Sequence, residues 1–145
     1  LVKLCENHEL ISGIKDATAD ISRPPRLLRL IGDGFSQLSG EDATALPYLA
    51  AGGHGCISVS SNIAPKLLSH MHNAWKNKDL QKSFEIHLQM INLHDAMFCE
   101  SSPGPVKFAA EKLGLCKSEA RLPIVEIENS SKKQVINALE ECKLL

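Results

Sequence analysis

The chain has 145 residues, of which 43% are apolar and 23% are charged, and its formal net charge is -1. This balance predicts a globular protein with a core, and it excludes a strongly basic nucleic-acid surface. No apolar run reaches the length of a membrane span, the first residues lack the order of a signal peptide, and the five cysteines form no CxxC pair. We therefore expect a soluble cytoplasmic protein with reduced thiols that binds neither nucleic acid nor membrane.

Strand and helix patterns alternate three times in the first half of the chain. Short apolar runs predict strands that end at Lys15, at Ser39 and at Ser60, and helical spacing follows each of them. Ser22 marks the predicted start of the first helix and Asp42 is the predicted N-cap of the second. The predicted buried face of the first helix consists of Leu27, Leu28, Leu30 and Ile31. This alternation predicts parallel strands joined by right-handed crossovers.

The second half of the chain has helical patterns only. Asp79 is the predicted cap of a long helix, a shorter helix is expected over residues 106–113, and Ser131 with Gln134 predicts a capping box for the last helix. The predicted buried face of the long helix consists of residues at three- and four-residue steps: Leu80, Phe84, His87, Leu88, Ile91 and Phe98. The sequence therefore predicts an α/β half followed by a helical half.

Candidate chemistry lies where the predicted strands end, because the carboxyl ends of parallel strands meet at one edge of a sheet. Lys15 ends the first strand, and a partly desolvated lysine there becomes a nucleophilic amine, although taken alone a solvated surface lysine is the simpler interpretation. Glu41 and Asp42, after Gly40, are candidates for acid–base work or for capping the next helix. None of the six histidines belongs to a metal-binding motif, and no GxSxG elbow occurs, so we predict no metal and no serine nucleophile.

Three blocks of sequence, residues 13–18, 38–47 and 52–65, closely resemble the dihydrodipicolinate synthase family of pyruvate-dependent Schiff-base enzymes. The likeness continues in order through residues 105–107 and 122–123. It implies a (β/α)8 TIM barrel with a C-terminal α-helical domain, assembled as a homotetramer of two tight dimers. A complete barrel needs about 200 residues or more. We therefore expect the C-terminal half of the enzyme: the last three β/α units in residues 1–76, and the helical domain in residues 77–145.

The resemblance also implies roles for single residues. Lys15 takes the place of the lysine that forms an imine with pyruvate, and Ile57 the place of a residue whose backbone carbonyl lies beside that imine. Gly40 and Glu41 match a loop near the site of the second substrate, aspartate semialdehyde. The implied reaction belongs to lysine and diaminopimelate biosynthesis and requires no metal or organic cofactor, because the lysine itself does the covalent chemistry.

The sequence departs from the family pattern at two places. Ala19 stands where a glycine is common, and residues 102–105 read Ser-Pro-Gly-Pro where Asn-Pro-Ile-Pro is usual. The family's proton-relay tyrosine, carboxylate-binding arginine and lysine-feedback site belong to the upstream half, so we expect the chain alone to be inactive. Two alternatives stay open: another pyruvate-dependent lyase of the N-acetylneuraminate lyase type, and a non-catalytic remnant or assembly module.

Overall fold

Three parallel strands alternate with helices in the first part of the protein. The computed structural model describes all of residues 1–145 and divides into two compact units, residues 1–58 and 59–145. The elements of the first unit are α1 (Val2–Asn7), β1 (Gly13–Asp16), α2 (Arg23–Ile31), β2 (Ser36–Ser39), α3 (Ala45–Ala50) and β3 (Gly55–Cys56). The strands lie in the order β1-β2-β3, and both pairs are parallel. The predicted alternation and the predicted parallel pairing are confirmed.

The third strand is shorter than its sequence predicts. The apolar run extends to Ser60, but β3 contains only Gly55 and Cys56, and its last backbone hydrogen bond to β2 joins Ile57 N to Ser39 O. Because β2 itself ends at Ser39, the residues after Ile57 have no strand partner. The strand therefore stops where its neighbour stops.

The two faces of the sheet differ in their cover. On one face Gln37 is fully buried, and its side-chain amide donates to the backbone oxygen of Pro24 in α2 at 3.1 Å. Of the predicted buried face of α2, only Leu27 is buried, whereas Leu28 and Leu30 are 40% and 63% exposed. That prediction is wrong in part, because the sheet covers a narrower stripe of the helix than the leucines occupy.

The second unit is helical. Its elements are a 3₁₀ turn (Ser60–Asn62), α4 (Pro65–Lys76), α5 (Leu80–Ala96), α6 (Gly104–Lys112) and α7 (Asn129–Glu141). Helix α5 packs against both α4 and α7, and α6 packs against α7. The core contains the fully buried side chains of Met71, Met90, Leu93, Met97, Val135 and Leu139. The boundary between the two compact units lies before α4, because α4 packs on α5. The boundary between a barrel segment (residues 1–76) and a helical domain (residues 77–145) stays a prediction.

Helix α5 begins as predicted but buries a different face. The side chain of Asp79 accepts a hydrogen bond from Lys82 N at 3.1 Å, which confirms the predicted cap. Leu80, Phe84 and Leu88 are each more than half exposed. The residues buried on α5 are instead Ser83, Ile86, His87, Met90, Leu93, His94 and Ala96, so only His87 of the predicted set is buried.

Buried polar groups explain part of this difference. Ser83 Oγ donates to the backbone oxygen of Met71 at 3.1 Å, and His94 Nδ1 shares a hydrogen bond with Ser60 Oγ at 2.9 Å. These bonds allow polar residues to replace apolar ones in the buried stripe.

The predicted capping box of the last helix is wrong, because α7 already begins at Asn129 and Ser131 is buried within it. No helix is both long enough and apolar enough to cross a membrane.

Candidate active site

The carboxyl ends of the three strands are tied together by backbone hydrogen bonds. Gly40 N, just after β2, donates to Asp16 O at the end of β1 at 2.7 Å, and Ile57 N, just after β3, donates to Ser39 O at 2.8 Å. Lys15, Gly40 and Ile57 therefore lie at one edge of the sheet, as expected for parallel strands. The structure brings these three predicted residues together within the first unit.

Lys15 stands on the less covered face of this sheet. The register pairs Lys15 with Leu38 and Leu38 with Gly55, so these three residues share a face. Lys15 is exposed, and Leu38 and Gly55 are only half-buried. Lys15 is solvated in this chain, as the simpler interpretation of the sequence had it, because β1 is an edge strand and its neighbours on that face are themselves incompletely covered.

The loop that follows Lys15 is held by Asp16. This carboxylate is buried and accepts hydrogen bonds from Thr18 N at 3.1 Å, from Thr18 Oγ1 at 2.7 Å and from Arg23 Nε at 2.6 Å. Burial is the strongest single influence and raises the pKa of Asp16, but the bonds from Thr18 and Arg23 together outweigh it and leave the pKa below its ordinary value. An ionised Asp16 therefore fixes the start of the loop to the start of α2.

Sequence reasoning missed this network. The Asp-x-Thr spacing of Asp16 and Thr18 is a local turn signal that could have been recognised. The partner Arg23 lies seven residues away, and no local pattern predicts that pairing.

In the same loop Ala19 has a φ of 58°, in the left-handed region that favours glycine. The departure from the family's glycine at Ala19 thus falls on a position whose backbone suits glycine.

Glu41 holds the turn that leads into α3, whose first residue is Ala45. The Glu41 carboxylate accepts from Ala43 N at 2.9 Å, from Thr44 N at 2.6 Å and from Thr44 Oγ1. The predicted N-cap Asp42 is wrong, because α3 begins at Ala45 with Thr44 at its N-cap and has no side-chain cap hydrogen bond. The Glu41 carboxylate is therefore engaged within its own loop.

Asp42 is buried on the far side of this loop from solvent. Its backbone oxygen accepts from Ala45 N at 3.1 Å, and its carboxylate lies 4.0 Å from the Cys56 sulfur. Burial above all, and then the charge of Asp42, raise the pKa of the Cys56 thiol to about 12. The hydrogen bond with Ser39 and the charge of Lys15 lower this pKa by less than burial and Asp42 raise it, so the Cys56 thiol is protonated at neutral pH.

The histidine of the Gly-Gly-His-Gly block has a structural contact. His54 Nδ1 accepts a hydrogen bond from Gln37 N at 3.0 Å, and His54 N donates to Gln37 O at 2.8 Å. These bonds join the residue before β3 to the central strand β2. No group of three or more His, Cys, Asp or Glu side chains comes together as a possible metal site.

The unusual Ser-Pro-Gly-Pro segment belongs to the second unit and begins α6. A Cβ atom at Gly104 would lie 2.9 Å from Ile127 Cγ2, so Ile127 occupies the space of a side chain at this position. The glycine that replaces the family's isoleucine is thus matched by the packing of Ile127 against it. Ser102 is exposed.

The fold is an α/β architecture with a lysine side chain at the carboxyl ends of parallel strands, where active sites lie in folds of this kind. The chain belongs to the Dihydrodipicolinate synthetase family, whose sequence model matches residues 1–142. This match confirms the family that the three sequence blocks indicated.

Named relatives match nearly all of the chain. It is 45% identical over 145 residues to a 4-hydroxy-tetrahydrodipicolinate synthase of Gluconobacter oxydans, covering 100% of this chain and 48% of the relative. It is 48% identical over 139 residues to the enzyme of that name from Gluconacetobacter diazotrophicus, covering 95% and 47%. The chain thus spans about half the length of the curated relatives it matches.

Solved structures also match nearly all of the chain and about half of their own length. Dihydrodipicolinate synthase from Aquifex aeolicus matches with a TM-score of 0.93 and 33% identity, over 99% of this chain and 49% of that one. The enzyme from Thermotoga maritima matches with a TM-score of 0.93 and 34% identity, over 99% and 50%. The matched halves of these proteins share the α/β architecture described above.

Proposed function

We propose that this chain supplies the imine-forming half of a 4-hydroxy-tetrahydrodipicolinate synthase, which condenses pyruvate with aspartate semialdehyde. The observation that carries the proposal is Lys15: it lies at the carboxyl edge of a parallel sheet, in a chain that aligns over its full length with enzymes of that name. A lysine amine at such an edge is suited to attack a bound keto acid.

The proposed architecture is the C-terminal part of a (β/α)8 barrel. Residues 1–76 would form the last three β/α units, and residues 77–145 the C-terminal helical domain. The sheet of the first unit supports this, because β1 and β3 both have an unpaired edge and the face that carries Lys15 is incompletely covered. The exposed stripe of Leu80, Phe84 and Leu88 on α5 fits further burial against the remaining barrel or a second subunit of a dimer of dimers.

The proposed reaction begins at the amine of Lys15. The neutral amine attacks the C2 carbonyl of pyruvate, and the resulting carbinolamine loses water to give a protonated imine. The imine withdraws electrons from the neighbouring methyl group, which loses a proton to give an enamine. Burial favours the neutral amine. Because Lys15 is exposed here, the upstream half would have to cover it.

The second substrate reacts with the enamine carbon. That carbon attacks the aldehyde of aspartate semialdehyde, forming the new carbon–carbon bond and an alkoxide that takes up a proton. The amino group of the bound aspartate semialdehyde then attacks the imine carbon, which closes the ring. The bond to Lys15 breaks, the free lysine returns, and 4-hydroxy-tetrahydrodipicolinate leaves.

Other residues of the edge have proposed binding roles. The backbone carbonyl of Ile57 would lie beside the imine, and Gly40 and Glu41 would approach the second substrate. The Glu41 carboxylate already accepts hydrogen bonds from Ala43 and Thr44. Glu41 would therefore contact the second substrate through its backbone. The proposed chemistry needs no metal or organic cofactor. A cytoplasmic location is proposed with it, in keeping with five free cysteines.

Reconstitution tests this function. The chain is combined with the upstream half of the Gluconobacter oxydans relative, and condensation of pyruvate with aspartate semialdehyde is compared with pyruvate release from N-acetylneuraminate. Condensation that disappears in Lys15→Arg supports the proposal. Pyruvate release without condensation would favour the lyase alternative, and neither activity in a folded complex would favour a non-catalytic module.

A further inference from the structure

Gly40 lies directly against the side chain of Lys15. A Cβ atom added at Gly40 would lie 2.9 Å from Cε and 3.0 Å from Cγ of Lys15, and 2.9 Å from the Cβ of Ala17. Carbon atoms that are not bonded to one another pack at about 3.5–4.0 Å. A methyl group at position 40 therefore cannot coexist with Lys15 in its present position.

The backbone at Gly40 has little freedom to move away. Gly40 N donates to Asp16 O at 2.7 Å. On the other side, Ser39 Oγ donates to Glu41 O at 2.7 Å and accepts from Glu41 N at 3.1 Å. The alkyl chain of Lys15 is flexible and its end is exposed. An added methyl group would therefore displace the lysine, and its conflict with the Cβ of Ala17 would in addition shift the loop.

We infer that Gly40 is a positioning residue for Lys15: its missing side chain leaves the space in which the lysine holds its amine at the carboxyl edge of the sheet. The inference rests on the proposed function for its catalytic consequence. It differs from a role of Gly40 in binding the second substrate, because it acts on the first step. Imine formation with pyruvate alone, without any aldehyde, should already depend on Gly40.

The test compares Gly40→Ala with the unchanged chain, each combined with the upstream half of the Gluconobacter oxydans relative. Pyruvate is added without aldehyde, borohydride reduces the imine, and the rate of adduct formation on Lys15 is measured. A misplaced reacting group costs up to about 100-fold in rate, so we expect Gly40→Ala to slow the adduct by about 10- to 100-fold. An unchanged rate would overturn the inference.

Gly55→Ala is the matched control. Gly55 lies in the same sheet, and a Cβ there would meet only Leu38 Cδ2, at 3.2 Å. This control makes the same chemical change without touching Lys15, so its adduct rate should equal that of the unchanged chain. If both variants lose the adduct equally, a general loss of the sheet is responsible and the inference fails.

A second variant separates the lysine from its neighbour Ala17. In Gly40→Ala combined with Ala17→Gly, the conflict between the two Cβ atoms is gone, while the conflict with Lys15 remains. We expect the double variant to stay slow. Recovery of the normal rate would mean that a shift of the loop at Ala17 caused the defect, which would refute positioning of the lysine.

A readout that needs no pyruvate distinguishes failure of this inference from failure of the proposed function. In the 145-residue chain labelled with ¹³C-lysine, the Cγ and Cε signals of Lys15 are assigned with Lys15→Arg. Gly40→Ala should shift both signals through a changed rotamer, and Gly55→Ala should not. Unchanged signals in Gly40→Ala would refute the inference, even if no imine ever forms in the unmodified protein.

Discussion

Replacing Glu41 by alanine removes the acceptor that holds the turn before α3. Two backbone N–H groups, of Ala43 and Thr44, and the Thr44 hydroxyl lose a charged partner. Hydrogen bonds to charged groups contribute about 1.5–3 kcal/mol each, and measured N-cap losses are about 0.5–2 kcal/mol. Because Glu41 is half-buried, water partly replaces it, and we expect a loss of about 2 kcal/mol in the free energy of unfolding.

Urea denaturation and hydrogen exchange measure this loss. A change of about 2 kcal/mol lowers the Tm by about 4–8 °C in a chain of this size. Hydrogen exchange should become faster mainly at the amides of Ala43 and Thr44, just before α3. Glu41→Gln, which keeps one acceptor oxygen, should have a stability between those of Glu41→Ala and the unchanged chain. Glu9→Ala, at an exposed glutamate of the same unit, is the control and should change stability by less than about 0.5 kcal/mol.

One result would refute this reasoning. If Glu41→Ala leaves the urea midpoint and the exchange of the Ala43 and Thr44 amides unchanged, the carboxylate does not hold this turn. If in addition the KM for aspartate semialdehyde rises in the reconstituted enzyme, the Glu41 side chain binds the second substrate instead. A loss of stability with an unchanged KM would support the role of Glu41 in holding the turn before α3.

Three further predictions concern the first unit. Ala19→Gly should raise the free energy of unfolding by about 0.5–1 kcal/mol, because Ala19 has a φ of 58°; a loss in the urea midpoint would contradict this. Tyr48→Phe should be neutral or stabilise by up to about 1 kcal/mol, because the buried hydroxyl makes no hydrogen bond with the protein; a loss of more than about 1 kcal/mol would disprove it. Asp16, whose folded pKa is lowered, contributes stability that is present above its ordinary value of 3.8 and is lost as pH falls through the folded value. The difference in unfolding free energy between the unchanged chain and Asp16→Asn should therefore shrink below pH 3.8, and a difference independent of pH would rule out this contribution.

Local patterns predicted the elements better than the faces they bury. The runs that end at Lys15 and Ser39 became β1 and β2 because a short apolar run between turn residues has few other solutions. Helix α5 shows the limit: its periodicity marks the stripe of Leu80, Phe84 and Leu88, which is exposed. Periodicity reports that a stripe is apolar and does not report whether this chain or another part of the protein covers it.

The candidate site was predictable where the chemistry is local. Lys15 was found because it ends a strand, and the resemblance of its sequence block supplied its role. Its exposure agrees with the simpler interpretation of a solvated lysine, and whether Lys15 becomes buried depends on what lies beyond the edge strand β1. The contact between Gly40 and Lys15 spans two strands, and only the register of β1 on β2 brings these residues together.

The central claim is that Lys15 forms an imine with pyruvate. The chain is combined with the upstream half of the Gluconobacter oxydans relative, treated with pyruvate and borohydride, digested, and mapped by mass spectrometry. The account predicts one modified peptide, with a carboxyethyl group on Nζ of Lys15 and none in Lys15→Arg. An adduct on a different lysine, or no adduct in a folded complex, would contradict it.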